Sequence, residues 1–318
     1  MKRYDYIKAR SVDEAIGLLK EYGPRAMLIA GGTDVMVGVK QGKFSPEVLI
    51  SLREIEGLNY IKADQGSLKI GALTTHRELE RSAVIAERFG ALKDAVDNLG
   101  SVQIRNVATI GGNICNAAPS ADTAPPLLVH DAEVEIKGPG GERRMPLEDF
   151  FLGPGKTALS PEEVLLGFSL PWPPEHAASA YWKHSRRQAM DLPILGVAMY
   201  LEVELRDPDP LKRAQKEGAS VEAQLEALDE SDILCREIRL ALGVAAPTPI
   251  RTKRAEEVLK GQRLTKEGLI ELGRVASEEA QPRDTIRGAA WYRREMIRVL
   301  PKRLALRCLE RIFRREER

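Results

Sequence analysis

Cysteine is scarce and scattered in this chain. Among 318 residues there are three, Cys115, Cys235 and Cys308. No two have the two-residue spacing of a zinc or iron–sulfur site. Three separated thiols also make a poor disulfide framework, so a reducing cytoplasm is the expected setting. Aromatic residues are only 5%, which leaves few stacking platforms for nucleic acid. Neither sign of charge dominates: 48 Lys+Arg face 47 Asp+Glu, so nothing draws the chain as a whole toward a polyanion. Nucleic acid is therefore not an expected partner. No apolar run approaches the roughly 18 residues that span a bilayer. The opening stretch MKRYDYIKARSVDEA lacks an apolar signal core, so neither a membrane span nor a leader is expected. His76, His130, His176 and His184 lie far apart, and no Ser/His/Asp order or nucleophile elbow occurs. No catalytic triad and no metal site are expected.

What is present supports folded cores. Hydrophobic residues make up 43% of the chain, and the length suits two domains. The first part reads as short alternating elements. Ser11 can cap a helix with Glu14 reaching back, and Val12, Ala15, Ile16 and Leu19 share one face. Met27–Ala30, Val48–Leu52 and Leu68–Leu73 read as strands. Thr75 and Glu78 form a second capping box. His76 follows that cap; a helix N-terminus disfavours a charged imidazole, so a neutral, hydrogen-bonded histidine is expected. Residues 83–100 read as helical and 133–137 and 164–170 as strands. Pro171-Trp-Pro-Pro marks the preferred domain boundary.

Beyond it, 194–205 and 236–242 carry strand patterns. The charged stretch 206–232 between them reads as an exposed insertion with at most a short helix. Residues 254–259 and 266–280 read as helical. From Ala289 to the end runs a basic helix that Pro301 should kink or restart. Leu304, Cys308 and Ile312 share one face of it, as in a docked amphipathic helix.

Two loops rich in small residues carry the functional signal. Ala30-Gly31-Gly32-Thr33-Asp34 joins a strand to a helix. Paired glycines let successive backbone N–H groups converge and let a phosphate come close. Thr33 adds a hydroxyl donor, while Asp34 would repel phosphate and better suits a backbone or ribose partner. Read from its residues alone, this loop fits a tight turn as well as a phosphate cradle. It has no Walker lysine and is not G-x-G-x-x-G. The second segment, from Thr109 through Gly112, Asn113 and Cys115 to Asp122, could lie flat against a planar ligand. A glycine-rich connection with no ligand is its other reading. Two such donor loops suit a long ligand, such as a dinucleotide, held between two subdomains.

At these loops the chain resembles the FAD-binding medium subunit of the xanthine dehydrogenase and carbon monoxide dehydrogenase family, the molybdenum hydroxylases. The matching segments are AGGTD (30–34), IGALTTHRELE (70–80), VATIGGNICNAAPSAD (107–122) and FFLGPGK (150–156). Pro161-Glu-Glu-Val-Leu-Leu, Tyr181-Trp-Lys183, Gly243-Val-Ala-Ala-Pro-Thr-Pro and Trp291-Tyr292-Arg293-Arg294 match as well. The likeness runs in order along nearly the whole chain.

The resemblance implies an α+β protein. A two-subdomain FAD-binding fold of the vanillyl-alcohol oxidase (PCMH) type would occupy 1–173, with subdomains of about 1–55 and 56–173. A smaller α+β domain would follow over 174–288, carrying the insertion 206–232, with the basic helix at 289–318. FAD is the implied cofactor. The implied partners are a large molybdopterin-binding subunit and a small subunit with two [2Fe–2S] clusters. Electrons would pass from molybdenum through iron–sulfur to the flavin, then to NAD or another acceptor.

By position, Leu28, Ile29, Ala30, Gly31, Gly32, Thr33, Asp34 and Val35 would cradle the pyrophosphate. Leu99 and Thr109 would contact FAD, with Gly112 and Asn113 in the same second loop. Cys115 falls where relatives face the flavin ring; its other reading is a small buried hydrophobe. Asp122 would bond the ribityl or adenosine side. Leu165 and Lys183 would flank the isoalloxazine, although Lys183 also reads as an ordinary surface lysine. The insertion holds no cysteine, so no additional [4Fe–4S] cluster is expected there. Two rival readings are a free-standing FAD-dependent oxidase or dehydrogenase of the same fold and a scaffold that has lost its cofactor. No catalytic base stands beside the loops to favour the first, and the intact glycines argue against the second.

Overall fold

The computed structural model describes residues 3–64 and 66–317. It divides into two compact units. The first comprises Met1–Ser82, Leu99–Ala118 and Asp131–Trp172; the second comprises Ala83–Asn98, Pro119–His130 and Pro173–Arg318. Two stretches that lie within 1–173 in sequence therefore fold with the second unit.

The first unit opens with a three-stranded parallel sheet. Strands β1 (Asp5–Lys8) and β2 (Ala26–Ile29) flank β3 (Val48–Ser51). Parallel neighbours need crossovers, and helices Val12–Tyr22 and Val35–Lys40 supply them. All four β3 residues are buried, as expected of a central parallel strand. Ser11 caps the first helix by accepting from the Glu14 N–H. Glu14 reaches back one residue further than a simple capping box, to the Arg10 N–H at 2.8 Å. Ala15, Ile16 and Leu19 then pack with Val48 and Ile50 in one core.

The same unit continues into a five-stranded antiparallel sheet. Its strands are β4 (Ile61–Asp64), β5 (Ser67–Gly71), β6 (Glu133–Gly138), β7 (Gly141–Pro146) and, after the two-stranded β8 (Phe151–Gly153) and β9 (Lys156–Thr157), β10 (Val164–Pro171). The spatial order is β4-β5-β10-β6-β7. Thr75 forms the full capping box predicted for helix His76–Arg81.

The second unit is built on an antiparallel sheet of β11 (Ala177–His184), β12 (Leu195–Asp207), β13 (Asp232–Gly243) and β14 (Ile250–Arg251). The segment expected to be helical over 83–100 is two helices, Ala83–Arg88 and Gly90–Asp97, broken at Phe89, whose ψ of 55° leaves the helical region. Gly90–Asp97 docks on β11: the Ala91 N–H donates to Ser179 Oγ at 2.9 Å, and Asp94 pairs with Arg311 at 2.6 Å. Helix Ala124–Val129 starts with prolines, which its first turn tolerates.

Residues 206–232 depart from the expected exposed insertion. They form two helices, Asp209–Lys216 and Val221–Glu230, and Leu211, Leu225 and Leu228 are fully buried in the core of this unit. Leu225 and Leu228 share one face of the second helix and Leu211 adds an anchor from the first, enough to dock a segment poor in other large apolar residues. The final helix, Ala290–Glu316, runs on through Pro301 without restarting. Leu304, Cys308 and Ile312 are buried together, as their shared face implies. Among the described residues no helix is long and apolar enough to cross a membrane.

Helix Lys266–Glu279 packs against this last helix at Gly273, where an added β-carbon would lie 2.6 Å from the Arg298 carbonyl oxygen. Backbone cannot yield as a flexible side chain can. Gly273→Ala should therefore cost about 1–3 kcal/mol of stability in the second unit, read as a lower urea or thermal midpoint; an unchanged midpoint would refute this close-packing argument.

Candidate functional site

The first small-residue loop leaves β2 at Ile29 and enters helix Val35–Lys40. Gly32 turns the chain at φ +76°, a conformation open to glycine at little cost. Gly31 is held by proximity: a β-carbon there would lie 2.0 Å from the Val107 carbonyl oxygen and 2.9 Å from Ala108 Cα. The two loops thus meet backbone to backbone.

The second loop is fastened along 72–76. Gly111 N–H donates to Ala72 O at 2.9 Å, Ile110 N–H to Thr74 O at 3.0 Å, and His76 N–H to Ala108 O at 3.0 Å. Gly111 has no room for a side chain, since its β-carbon would lie 2.6 Å from the Ala72 carbonyl oxygen. Part of this segment is helical, Ile110–Cys115, with the Thr109 hydroxyl accepting from the Gly112 N–H at 3.1 Å. The residues alone suggest an irregular loop here, because two glycines and an asparagine in six residues are poor helix formers. The Thr109 cap and the clamp to 72–76 override that preference.

Both loops line one cavity of about 460 Å³ in the first unit, within the usual range for small-molecule sites. Of the residues proposed from sequence, Leu28, Ala30, Gly31, Gly32, Thr33, Asp34, Val35, Leu99, Thr109, Gly112, Asn113, Cys115 and Leu165 line it. Ile29 does not; it is buried at the end of β2. Asp122 and Lys183 belong to the second unit. There they bond to each other, Lys183 Nζ to Asp122 Oδ2 at 2.8 Å, with Tyr181 donating to Asp122 Oδ1 at 2.9 Å and Lys183 also donating to Asn98 O at 3.0 Å. Their side chains are 6–7% exposed, so Lys183 is not a surface lysine. Burial pushes the Asp122 carboxyl up, against the pull of Lys183 and Tyr181.

Sequence reasoning did not pick out Met27, Phe44, Ala72, Leu73, Ile104, Gly155, Leu159 or Val164 as lining residues. Most are apolar and carry no signal that separates a cavity wall from a core. Phe44 could have been sought through Gly38, whose absent side chain admits its ring: a β-carbon there would lie 2.3 Å from the Phe44 ring carbons. Leu99 is held through its carbonyl, which accepts from Arg105 Nη1 at 2.9 Å while Arg105 Nε binds Glu80 at 2.9 Å.

The cavity's titratable side chains are few. Asp34 keeps exposed surface, yet the protein crowding its carboxyl pushes its pKa up, with a Thr33 hydrogen bond opposing. Cys115 is half-buried, and desolvation pushes its thiol up to about 12. His76 is fully buried; desolvation, aided by the neighbouring Arg105 cation, pushes its imidazole down to about 4. It is neutral as expected, but the expected hydrogen bond is missing: neither ring nitrogen has a partner among the described residues. Among the described residues no three His, Cys, Asp or Glu side chains converge as a metal site would require.

Closely packed glycines, apolar walls and a few polar groups make this a cavity of the kind that takes a small molecule. Residues 2–173 match the family described as FAD binding domain in molybdopterin dehydrogenase, and residues 180–308 the CO dehydrogenase flavoprotein C-terminal domain. The chain is 35% identical over 301 residues to the xanthine dehydrogenase FAD-binding subunit of Escherichia coli O157:H7, covering 94% of each chain. It is 28% identical over 317 residues to the nicotinate dehydrogenase FAD-subunit of Eubacterium barkeri, covering 98% of each. Among solved structures, the reconstituted CO dehydrogenase from Oligotropha carboxidovorans superposes with a TM-score of 0.86 at 28% identity, over 98% of this chain and 99% of that one. The chain belongs to the molybdopterin dehydrogenase family. It is an FAD-binding subunit of the molybdenum hydroxylase type, α+β in class, with an FAD-binding domain and a C-terminal flavoprotein domain.

The residues present fit FAD. Gly31 and Gly111 let the segments that frame the cavity pack backbone against backbone, and the walls offer both amide-bearing and apolar surface. Gly31→Ala and Gly111→Ala should each raise the FAD dissociation constant at least about tenfold, measured by quenching of flavin fluorescence. Gly17→Ala, on a helix position with nothing within 4 Å, should leave affinity unchanged.

The neutral state of His76 also sets a pH dependence for the FAD-free protein. Unfolded, its imidazole takes a proton below about 6.5; folded, it stays neutral until about 4. The stability held by the neutral form is complete above the unfolded value and is lost as pH falls toward the folded one, by up to about 3 kcal/mol. His76→Phe should flatten that slope between pH 6.5 and 4 in denaturation curves; an unchanged slope would show that the ring is solvated.

Proposed function

We propose that this chain is an electron relay, accepting electrons from [2Fe–2S] clusters on one partner subunit and passing them through FAD to an external acceptor. A molybdopterin-binding partner would carry the substrate. The observation that carries this reading is the cavity lined by both small-residue loops, in a chain whose relatives are named as FAD subunits of dehydrogenases. Bound FAD supplies chemistry that couples two-electron and one-electron transfer.

This chain's own residues bind and shield. Gly31 and Gly111 let the loops that line the cavity close on their neighbours backbone to backbone, and Leu28, Leu73, Val164 and Leu165 exclude water. The Cys115 Sγ keeps its proton, so it is no nucleophile at neutral pH. His76, held neutral with a pKa of about 4, is a weak base. Neither Cys115 nor His76 is therefore poised as a general base at neutral pH. A reducing cytoplasm suits the three free thiols.

The purified chain should be yellow, with FAD bound and neither iron nor molybdenum. Candidate purines, aldehydes and N-heterocycles should not bleach its flavin. Dye reduction should appear only when the chain is purified with the products of adjacent genes. Unaided reduction of the flavin by an organic substrate would overturn the relay reading.

A further inference from the structure

His76 is fully buried, lines the cavity and has two ring nitrogens without a partner among the described residues. The residues around it are firmly placed. Thr75 and Glu78 close a capping box beneath it, and its own N–H donates to the Ala108 carbonyl at 3.0 Å. Arg105 stands close by, but its guanidinium is taken up by Glu80 and the Leu99 carbonyl. A buried polar group left unpaired costs free energy that an apolar side chain of the same shape would not. A neutral imidazole keeps one donor and one acceptor nitrogen. FAD offers phosphate oxygens, ribityl hydroxyls and ring carbonyls, which match that pair.

We propose that His76 is a flavin-binding residue, whose imidazole hydrogen-bonds the FAD held in this cavity, directly or through one trapped water. The proposal rests on FAD occupying the cavity assigned above. Neutrality makes the contact one of geometry, because an uncharged ring adds no cation near the flavin.

The test compares wild type, His76→Gln and His76→Phe. Each is prepared without FAD and titrated with it, followed by flavin fluorescence and by ring ¹⁵N shifts of histidine-labelled wild type. His76→Phe should weaken FAD binding about tenfold. His76→Gln, which keeps a donor and an acceptor, should recover most of that loss. The FAD-free His76→Phe protein should unfold at the wild-type midpoint or above it, since two unpaired nitrogens are gone. FAD should move the His76 ring resonances of wild type, a readout that stands even if a variant misfolds. Unmoved resonances, or wild-type affinity in His76→Phe, would overturn the proposal. So would a loss of affinity that tracks a loss of FAD-free stability and that Gln does not rescue. If Gly31→Ala binds FAD like wild type, the cavity assignment itself fails, and that outcome is distinct from any of these.

Discussion

The Val107 carbonyl oxygen lies only 2.0 Å from where a β-carbon on Gly31 would sit. The rest of the cavity between the two loops depends on this contact. It draws two distant stretches of chain together at backbone range, closer than any side chain could allow. Because the second stretch is itself bonded along 72–76, the approach is fixed by hydrogen bonds on one side and by a missing side chain on the other. A cavity built this way is walled mainly by small and apolar residues, with Asp34 its one acidic side chain among the described residues.

Buried polar groups in this protein are handled in two ways. Arg105 with Glu80, and Asp122 with Lys183 and Tyr181, are fully engaged with one another. Such networks contribute positioning more than net stability, because desolvation offsets much of the attraction. Arg105 positions Leu99 on the cavity wall through its carbonyl. His76 is the contrasting case, a buried imidazole that its own protein leaves unpaired.

The second unit gathers stretches that lie far apart in the sequence. Its sheet is covered by Ala290–Glu316 from the far end of the chain and by Gly90–Asp97 and Ala124–Val129 from the midst of the nucleotide-binding region. Gly243 meets Pro125 of the last of these: a β-carbon on that glycine would lie 3.2 Å from the proline ring. The strand needed apolar cover, and the short proline-led helix provides it.

Local rules were enough to find the capping residues Ser11 and Thr75, strands read at 27–30, 48–52 and 194–205 and observed at 26–29, 48–51 and 195–207, and the apolar face of the last helix. Each depends on the nearest few residues: a side-chain oxygen three residues from an N–H, or a period of two or 3.6. The paired-glycine loops were legible too, since glycine twice in succession marks a backbone with a special task. What the tertiary structure alone decided was what those glycines approach. It also set which apolar residues became wall rather than core, and the pairing of Lys183 with Asp122. Phe44, Leu159 and Val164 read like any core residue, because lining a cavity leaves no local period. The same reason hid the docking of Leu211, Leu225 and Leu228: a charged stretch folds or stays exposed according to the surface that happens to lie beneath it.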